Sequence, residues 1–327
     1  MEGLLQRLHA GDPRAIARAI TMMEAGGPAA ANLHRALLPS TGAALTVGFT
    51  GPPGAGKSTL IDAFVAELRK SGRTVAVAAV DPSSPLSGGA VLGDRIRMGQ
   101  HTEDPGVFIR SIASRGHLGG LNESIQPIVD VLDVAGRDVI VIETVGAGQS
   151  EVDIVEVADV RVVVNAPGLG DDVQAIKAGI LEIASILVVN KADLPLAART
   201  VRQLRSMLAL RRENDRNVPV IETVASSAQG VAGLLETVLN LAPLTPEQRR
   251  ARRRARVHRL VAEAAAAEVR RRIMRQNDEA LLAALACVEA GELTVEAAAR
   301  ALAAHDREHA PAPSQQITIS RQDESVT

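Results

Sequence analysis

The 327-residue chain has no tryptophan and no tyrosine, and its phenylalanines are only Phe49, Phe64 and Phe108. Single-stranded nucleic acid is held largely by aromatic stacking, so this scarcity argues against such a partner and requires an aliphatic core. Cysteine occurs once, as Cys287, which excludes an intramolecular disulfide and any zinc site built on two thiolates. No run reaches the roughly 18 apolar residues of a membrane span, and charges interrupt Met1 to Ile20 where a signal peptide needs its apolar stretch. The expectation is a cytoplasmic protein with no membrane partner. Excess charge is also lacking: Lys+Arg 36 against Asp+Glu 38 leaves a formal net charge of -2, which removes the global electrostatic case for nucleic acid.

What is present is an ordinary globular composition, 46% hydrophobic and 23% charged, long enough for one large domain with extensions or for two domains. Residues 1–42 read as an N-terminal helical extension: Asp12 is placed to cap a helix, Pro13 suits its first position, and Ile16, Ile20 and Met23 share one side. From Ala44 the pattern changes to short β-branched runs with little polar alternation, AALTVGFT, RTVAVAAV, DVIVIETV, VRVVVN and SILVVN. Such runs are strands buried on both faces, and helix-length segments separate them. The expected fold is α/β, a mostly parallel doubly wound sheet over residues 43–242. Pro243, Thr245 and Pro246 then punctuate the chain before a helical region at 243–308, and the polar remainder at 309–327 reads as a disordered tail. In the long Ala/Arg-rich helix, Val257, Val261, Ala265, Val269 and Ile273 recur every four residues, so that stripe needs a partner, for which a second copy of the chain is a candidate.

The first buried run ends in Gly51-Pro52-Pro53-Gly54-Ala55-Gly56-Lys57-Ser58, followed by Thr59, which fits G-x-x-x-x-G-K-[ST] between a strand and a helix. Glycines let successive backbone N–H groups turn toward phosphate oxygens, and the positive end of the following helix adds to the attraction. Lys57 is expected to reach the β- and γ-phosphates, and the Ser58 hydroxyl to bind a Mg²⁺ ion bridging the same phosphates.

Asn190-Lys191-Ala192-Asp193 follows another buried strand and matches N-K-x-D. A carboxylate there accepts from guanine N1–H and the 2-amino group, a donor pair adenine lacks, so Asp193 predicts GTP over ATP. Lys191 can lay its stem along the base, and Ser227-Ala228, after the run VPVIETV, is a candidate for a backbone N–H to the base oxygen. The run DVIVIETVG ends in Glu143-Thr144-Val145-Gly146, with Glu143 a candidate metal ligand and the Gly146 N–H a sensor of the γ-phosphate. Asp81 and Asp94 are further candidate acids for the metal shell.

Taken in order, GPPGAGKST, AVDPSS, GGAVLGDRIRM, FIRSIASRGHLGG, VIVIETVGAGQSE, PGLGDDVQAIKAGI and VVNKAD resemble the MeaB/ArgK family of P-loop GTPases, and the likeness runs from about Leu5 to His305. The resemblance implies a guanine-nucleotide switch, homodimeric through its C-terminal helices, that serves as chaperone to an adenosylcobalamin-dependent acyl-CoA mutase, chiefly methylmalonyl-CoA mutase. It also implies that Asp81, Asp94 and Glu143 are metal and water acids, and that Lys177 sits on a loop that moves toward the nucleotide when the mutase is present. A lysine delivered there would stabilise charge on the transferring phosphoryl group. Arg95 and Asp172 depart from the family's usual lysine and glutamate.

Three other readings compete. A metal-insertion GTPase needs transition-metal ligands, yet the seven histidines are scattered without ligand spacing. A kinase or ATPase serving basic amino-acid transport conflicts with the guanine preference predicted from Asp193. The arginines between Arg249 and Arg259 could bind nucleic acid, but a solvated helical face is the commoner use of such a run, and no nucleic-acid partner is expected.

Overall fold

The computed structural model describes residues 2–81, 101, 103–113, 125–144, 157–168, 182–209, 217–242, 245–275 and 279–309. Seven parallel strands form one sheet: β1 (Leu45–Thr50), β2 (Val75–Asp81), β3 (Val107–Ala113), β4 (Val139–Thr144), β5 (Val160–Asn165), β6 (Ile186–Val189) and β7 (Val220–Glu222), in the order β3-β2-β4-β1-β5-β6-β7. The expected doubly wound α/β sheet is therefore the observed one. The strands are near-continuous Val/Ile/Leu runs because helices cover both faces of the central strands.

On one face, Val47, Phe49, Val77, Val141 and Val162 pack against α4 (Lys57–Lys70) and α7 (Val231–Leu241), which contribute Leu60, Phe64 and Leu234. Phe49 and Phe64 meet edge to face with ring centroids 5.3 Å apart. The opposite face is covered by the N-terminal helices α1 (Glu2–His9), α2 (Pro13–Ala25) and α3 (Gly27–Leu37) together with α5 (Ile125–Val134). Asp12 caps α2 as its sequence implies, accepting from the N–H groups of Arg14 at 2.8 Å and Ala15 at 3.2 Å. Leu8, Ile16, Ile20 and Leu33 share one apolar core with Ala76 and Ile140 of the sheet, so the first forty residues complete the α/β domain rather than precede it. Two buried acids of α5 fasten them. Asp133 accepts from the backbone N–H groups of Gly42, Ala43 and Ala44, and Asp130 accepts from His34 at 2.8 Å. Burial pushes the Asp133 carboxyl above the usual range, against the lowering effect of its N–H donors. A third apolar cluster joins β5 and β6 to α6 (Ala197–Ala209) through Val163, Leu187, Val201 and Leu204.

The chain divides into two compact units, Met1–Arg253 and Arg254–Thr327. The boundary falls inside α8 (Pro246–Arg275), and α9 (Glu279–Glu289) and α10 (Val295–His309) follow it. On α8, Val257, Val261 and Val269 are exposed. Among the described residues, no helix is long and apolar enough to cross a membrane.

Candidate nucleotide site

The loop after β1 is shaped by what its glycines touch. Gly51 has φ 139°, and a Cβ there would collide with the Val164 carbonyl of the neighbouring strand. Gly56 has φ 84° and lies against the Asn190 amide, so a side chain at either position would push the loop off the sheet. Gly56 also stands as the N-cap of α4 without any side-chain cap, leaving the first-turn N–H groups of Lys57, Ser58 and Thr59 for an anion. The Lys57 ammonium, 8% exposed, curls back over the loop to donate to the carbonyls of Gly51 at 2.8 Å and Pro52 at 3.1 Å. Pro53 and Gly54 form the exposed tip, while Ala55 is buried beneath it.

Ser58 and Glu143 are brought together from α4 and β4. The Ser58 hydroxyl donates to Glu143 Oε1 at 2.7 Å, and the Glu143 side chain is only 5% exposed. A hydroxyl and a carboxylate at the C-terminal edge of a parallel sheet form a hard-oxygen donor pair of the kind Mg²⁺ prefers. Asp81 ends β2 at the same edge, one residue beyond Val80, which pairs with Thr144. Asp94, Gly146 and Lys177 lie outside the described residues, as does the side chain of Asp81.

Asn190 ties the phosphate loop to the loops of the next two strands. Its amide Nδ2 donates to the carbonyls of Ala55 at 2.9 Å and Gly56 at 3.4 Å, and its Oδ1 accepts from the Thr223 hydroxyl and the Ala225 N–H, both at 3.1 Å. At 2% exposure this side chain has all its hydrogen-bonding directions engaged. Lys191 takes a left-handed backbone, φ 56°, and its ammonium donates to the Gly54 carbonyl at 2.8 Å. Asp193 is exposed two residues on. Ser227 ends a short 3₁₀ turn with its hydroxyl on the Val224 carbonyl at 3.3 Å, and Ala228 is left-handed at φ 56°.

Thr223 and Ala225 thus contact the Asn190 side chain directly, whereas the sequence reading singled out Ser227 and Ala228 farther along. The signal was available: VPVIET and ILVVN are adjacent parallel strands, so Thr223 and Asn190 leave the sheet side by side.

Residues 16–278 match the family model described as methylmalonyl Co-A mutase-associated GTPase MeaB. The chain belongs to the MeaB family. Its GTPase identity is carried equally by relatives: a Pyrococcus abyssi protein named a GTPase is 52% identical over 242 residues, spanning 73% of this chain and 75% of the relative. The mouse protein named methylmalonic aciduria type A homolog, mitochondrial, is 39% identical over 197 residues, spanning 59% of this chain and 48% of its own length. A crystal structure described as an LAO/AO transport system kinase superposes with TM-score 0.69 at 25% identity, covering 94% of this chain and 97% of that one. Membership of a family of GTPases implies that the chain binds GTP and GDP.

Proposed function

We propose that the chain is a magnesium-dependent GTPase that acts as a nucleotide-switched chaperone for an adenosylcobalamin-dependent acyl-CoA mutase of the methylmalonyl-CoA mutase type. The mutase half of this reading rests on the family match across residues 16–278, and the name of the mouse relative supports it. The chemical half rests on the 2.7 Å contact between Ser58 and Glu143.

The N–H groups of the loop from Gly51 to Ser58 bind the triphosphate, and Lys57 exchanges its loop carbonyls for β- and γ-phosphate oxygens. Water adds to the γ-phosphorus, the bond to the β–γ bridging oxygen breaks, and GDP and phosphate leave. Ser58 and Glu143, with Asp81 and Asp94, are the oxygen donors for Mg²⁺, which when bound neutralises charge on the β- and γ-phosphates. Gly146 senses the γ-phosphate. Asp193 selects guanine, Lys191 lies along the base, and the backbone at Ser227 and Ala228 faces the base oxygen. Lys177 is delivered by the mutase-responsive loop to stabilise the departing charge, and the protein works as a homodimer through its C-terminal helices.

The test is GTP hydrolysis by the purified protein with and without methylmalonyl-CoA mutase. The expected result is slow turnover alone, stimulation by the mutase, and loss of stimulation but not of binding in Lys177→Ala. Equal rates with and without the mutase, together with no nucleotide-dependent co-purification, would remove the chaperone reading. The transport-kinase description of the superposed structure gives a second reading, which requires ATP to compete with GTP. Comparing the two nucleotides, with Asp193→Asn expected to narrow the gap, separates them.

A further inference from the structure

Away from the phosphate loop, a cavity of about 530 Å³ runs alongside β3, bounded by the first turn of α2, the segment before β3 and Arg137 just ahead of β4. Arg137 stands six residues before Glu143, so its backbone lies about 20 Å from that of the metal-binding acid, at about 3.3 Å per strand residue. The volume suits a small molecule.

Arg14, Arg110 and Arg137 line this cavity together with Glu103 and Asp104. Asp104 is already engaged, accepting from Arg69 Nε at 2.8 Å, from Arg69 Nη2 at 3.0 Å and from the Gly106 N–H at 2.8 Å. Gly106 lacks a Cβ where the Arg69 guanidinium lies, which leaves room for this clamp. Arg110 gives one nitrogen to Glu24 at 2.9 Å and to the Thr21 hydroxyl at 3.3 Å, while its buried Nε has no acceptor among the described residues. Arg137 is 7% exposed, its Nε likewise has no acceptor among the described residues, and its Nη1 makes a long 3.4 Å contact to the Pro105 carbonyl. Burial, followed by the like charge of Arg69, depresses the Arg137 pKa, against a smaller opposing effect from the Asp138 carboxylate. A buried guanidinium with no ion pair among the described residues is a costly arrangement that an incoming oxyanion would relieve, and Arg137 and Arg110 both line this cavity. Val107, Phe108 and Ile109 supply apolar wall beside them.

We propose that this cavity is a binding site, separate from the nucleotide site, for a small oxyanion carried on an apolar body, with Arg137 and Arg110 as its anchors. A carboxylate and a phosphate monoester share that chemistry. The inference stands on Arg137, Arg110 and the cavity, and does not depend on the mutase reading.

The full chain, preloaded with GDP and Mg²⁺ so that the phosphate loop is filled, is titrated by calorimetry with hexanoate, succinate, hexyl phosphate and inorganic phosphate. The expected result is saturable binding of hexanoate or hexyl phosphate, stronger than that of succinate or inorganic phosphate. Whichever of the first two binds more tightly identifies the headgroup. Arg137→Met should abolish this binding while keeping GDP affinity, and should raise the ligand-free melting temperature, because it removes a buried charge that has no ion pair among the described residues. Arg110→Gln should weaken binding at least several-fold and guards against a folding defect in the first variant. No saturable heat with any of the four probes, or binding unchanged in both variants, overturns the proposal.

Discussion

At the phosphate-loop edge, polar side chains are buried and tied to other elements, whereas along the Arg254–Arg275 part of α8 apolar side chains stand in solvent. Asn190 is 2% exposed with four hydrogen-bond contacts; Val261 is 63% and Met274 79% exposed. A buried amide is favourable only when its bonds are made, so the first region carries its complement within the chain. An apolar stripe in water gains by being covered, and in the proposed homodimer a second copy of the chain would present a matching stripe.

The contrast can be broken at its strongest point by Lys57→Ala. Its ammonium donates to the loop carbonyls of Gly51 and Pro52, so GTP affinity measured by calorimetry should fall by about 100-fold or more, a larger effect than any change in melting temperature. A large loss of stability would mean that Lys57 holds the fold rather than the ligand. Asn190→Ala should do both kinds of damage. Leaving the Ala55 carbonyl, the Thr223 hydroxyl and the Ala225 N–H without their partner should cost about 2–4 kcal/mol in denaturant unfolding, and GTP affinity should drop alongside. An affinity unchanged in that variant would show that the loops do not need their cross-link.

On the other side of the comparison, the double substitution Val261→Glu and Val269→Glu should convert a dimer to a monomer in sedimentation, with unfolding of the α/β domain altered by less than about 0.5 kcal/mol. A dimer that survives both charges would move the interface off this stripe. The smallest effect expected is at the Arg69–Asp104 clamp. Hydrogen bonding from Arg69 holds the Asp104 carboxyl below the usual range. A depressed folded-state pKa contributes stability that is present above the unfolded value and lost as pH falls through the folded value. Asp104→Asn should therefore lower stability by about 0.5–1 kcal/mol at neutral pH and merge with the parent protein below the ordinary carboxylate range. A difference that persists there would assign the effect to packing.

Much of the sheet was legible because strands buried on both faces must be continuously apolar. β3 escaped that reading: Val107–Ala113 carries Arg110 and Ser111, and its residues through Ser111 are only half-buried at the edge of the described sheet. An edge strand is covered less, so its pattern blurs into that of a loop. The N-terminal helices were visible from Asp12, Pro13 and their apolar spacing, but nothing local told which surface Ile16 and Leu33 would meet.

The amino-acid order alone determined the loop chemistry, since Gly51, Gly56, Lys57 and Ser58 act through local backbone geometry and a spacing of a few residues. It also determined the N-K-x-D pattern and the buried strands, which are likewise short-range. Tertiary structure decided which distant residues meet: Ser58 with Glu143, 85 positions away, Asn190 with Ala55, 135 positions away, and Arg137 with the edge of β3. Those pairings follow from strand order and register, which are set by the packing of the whole sheet and have no signature in any single segment.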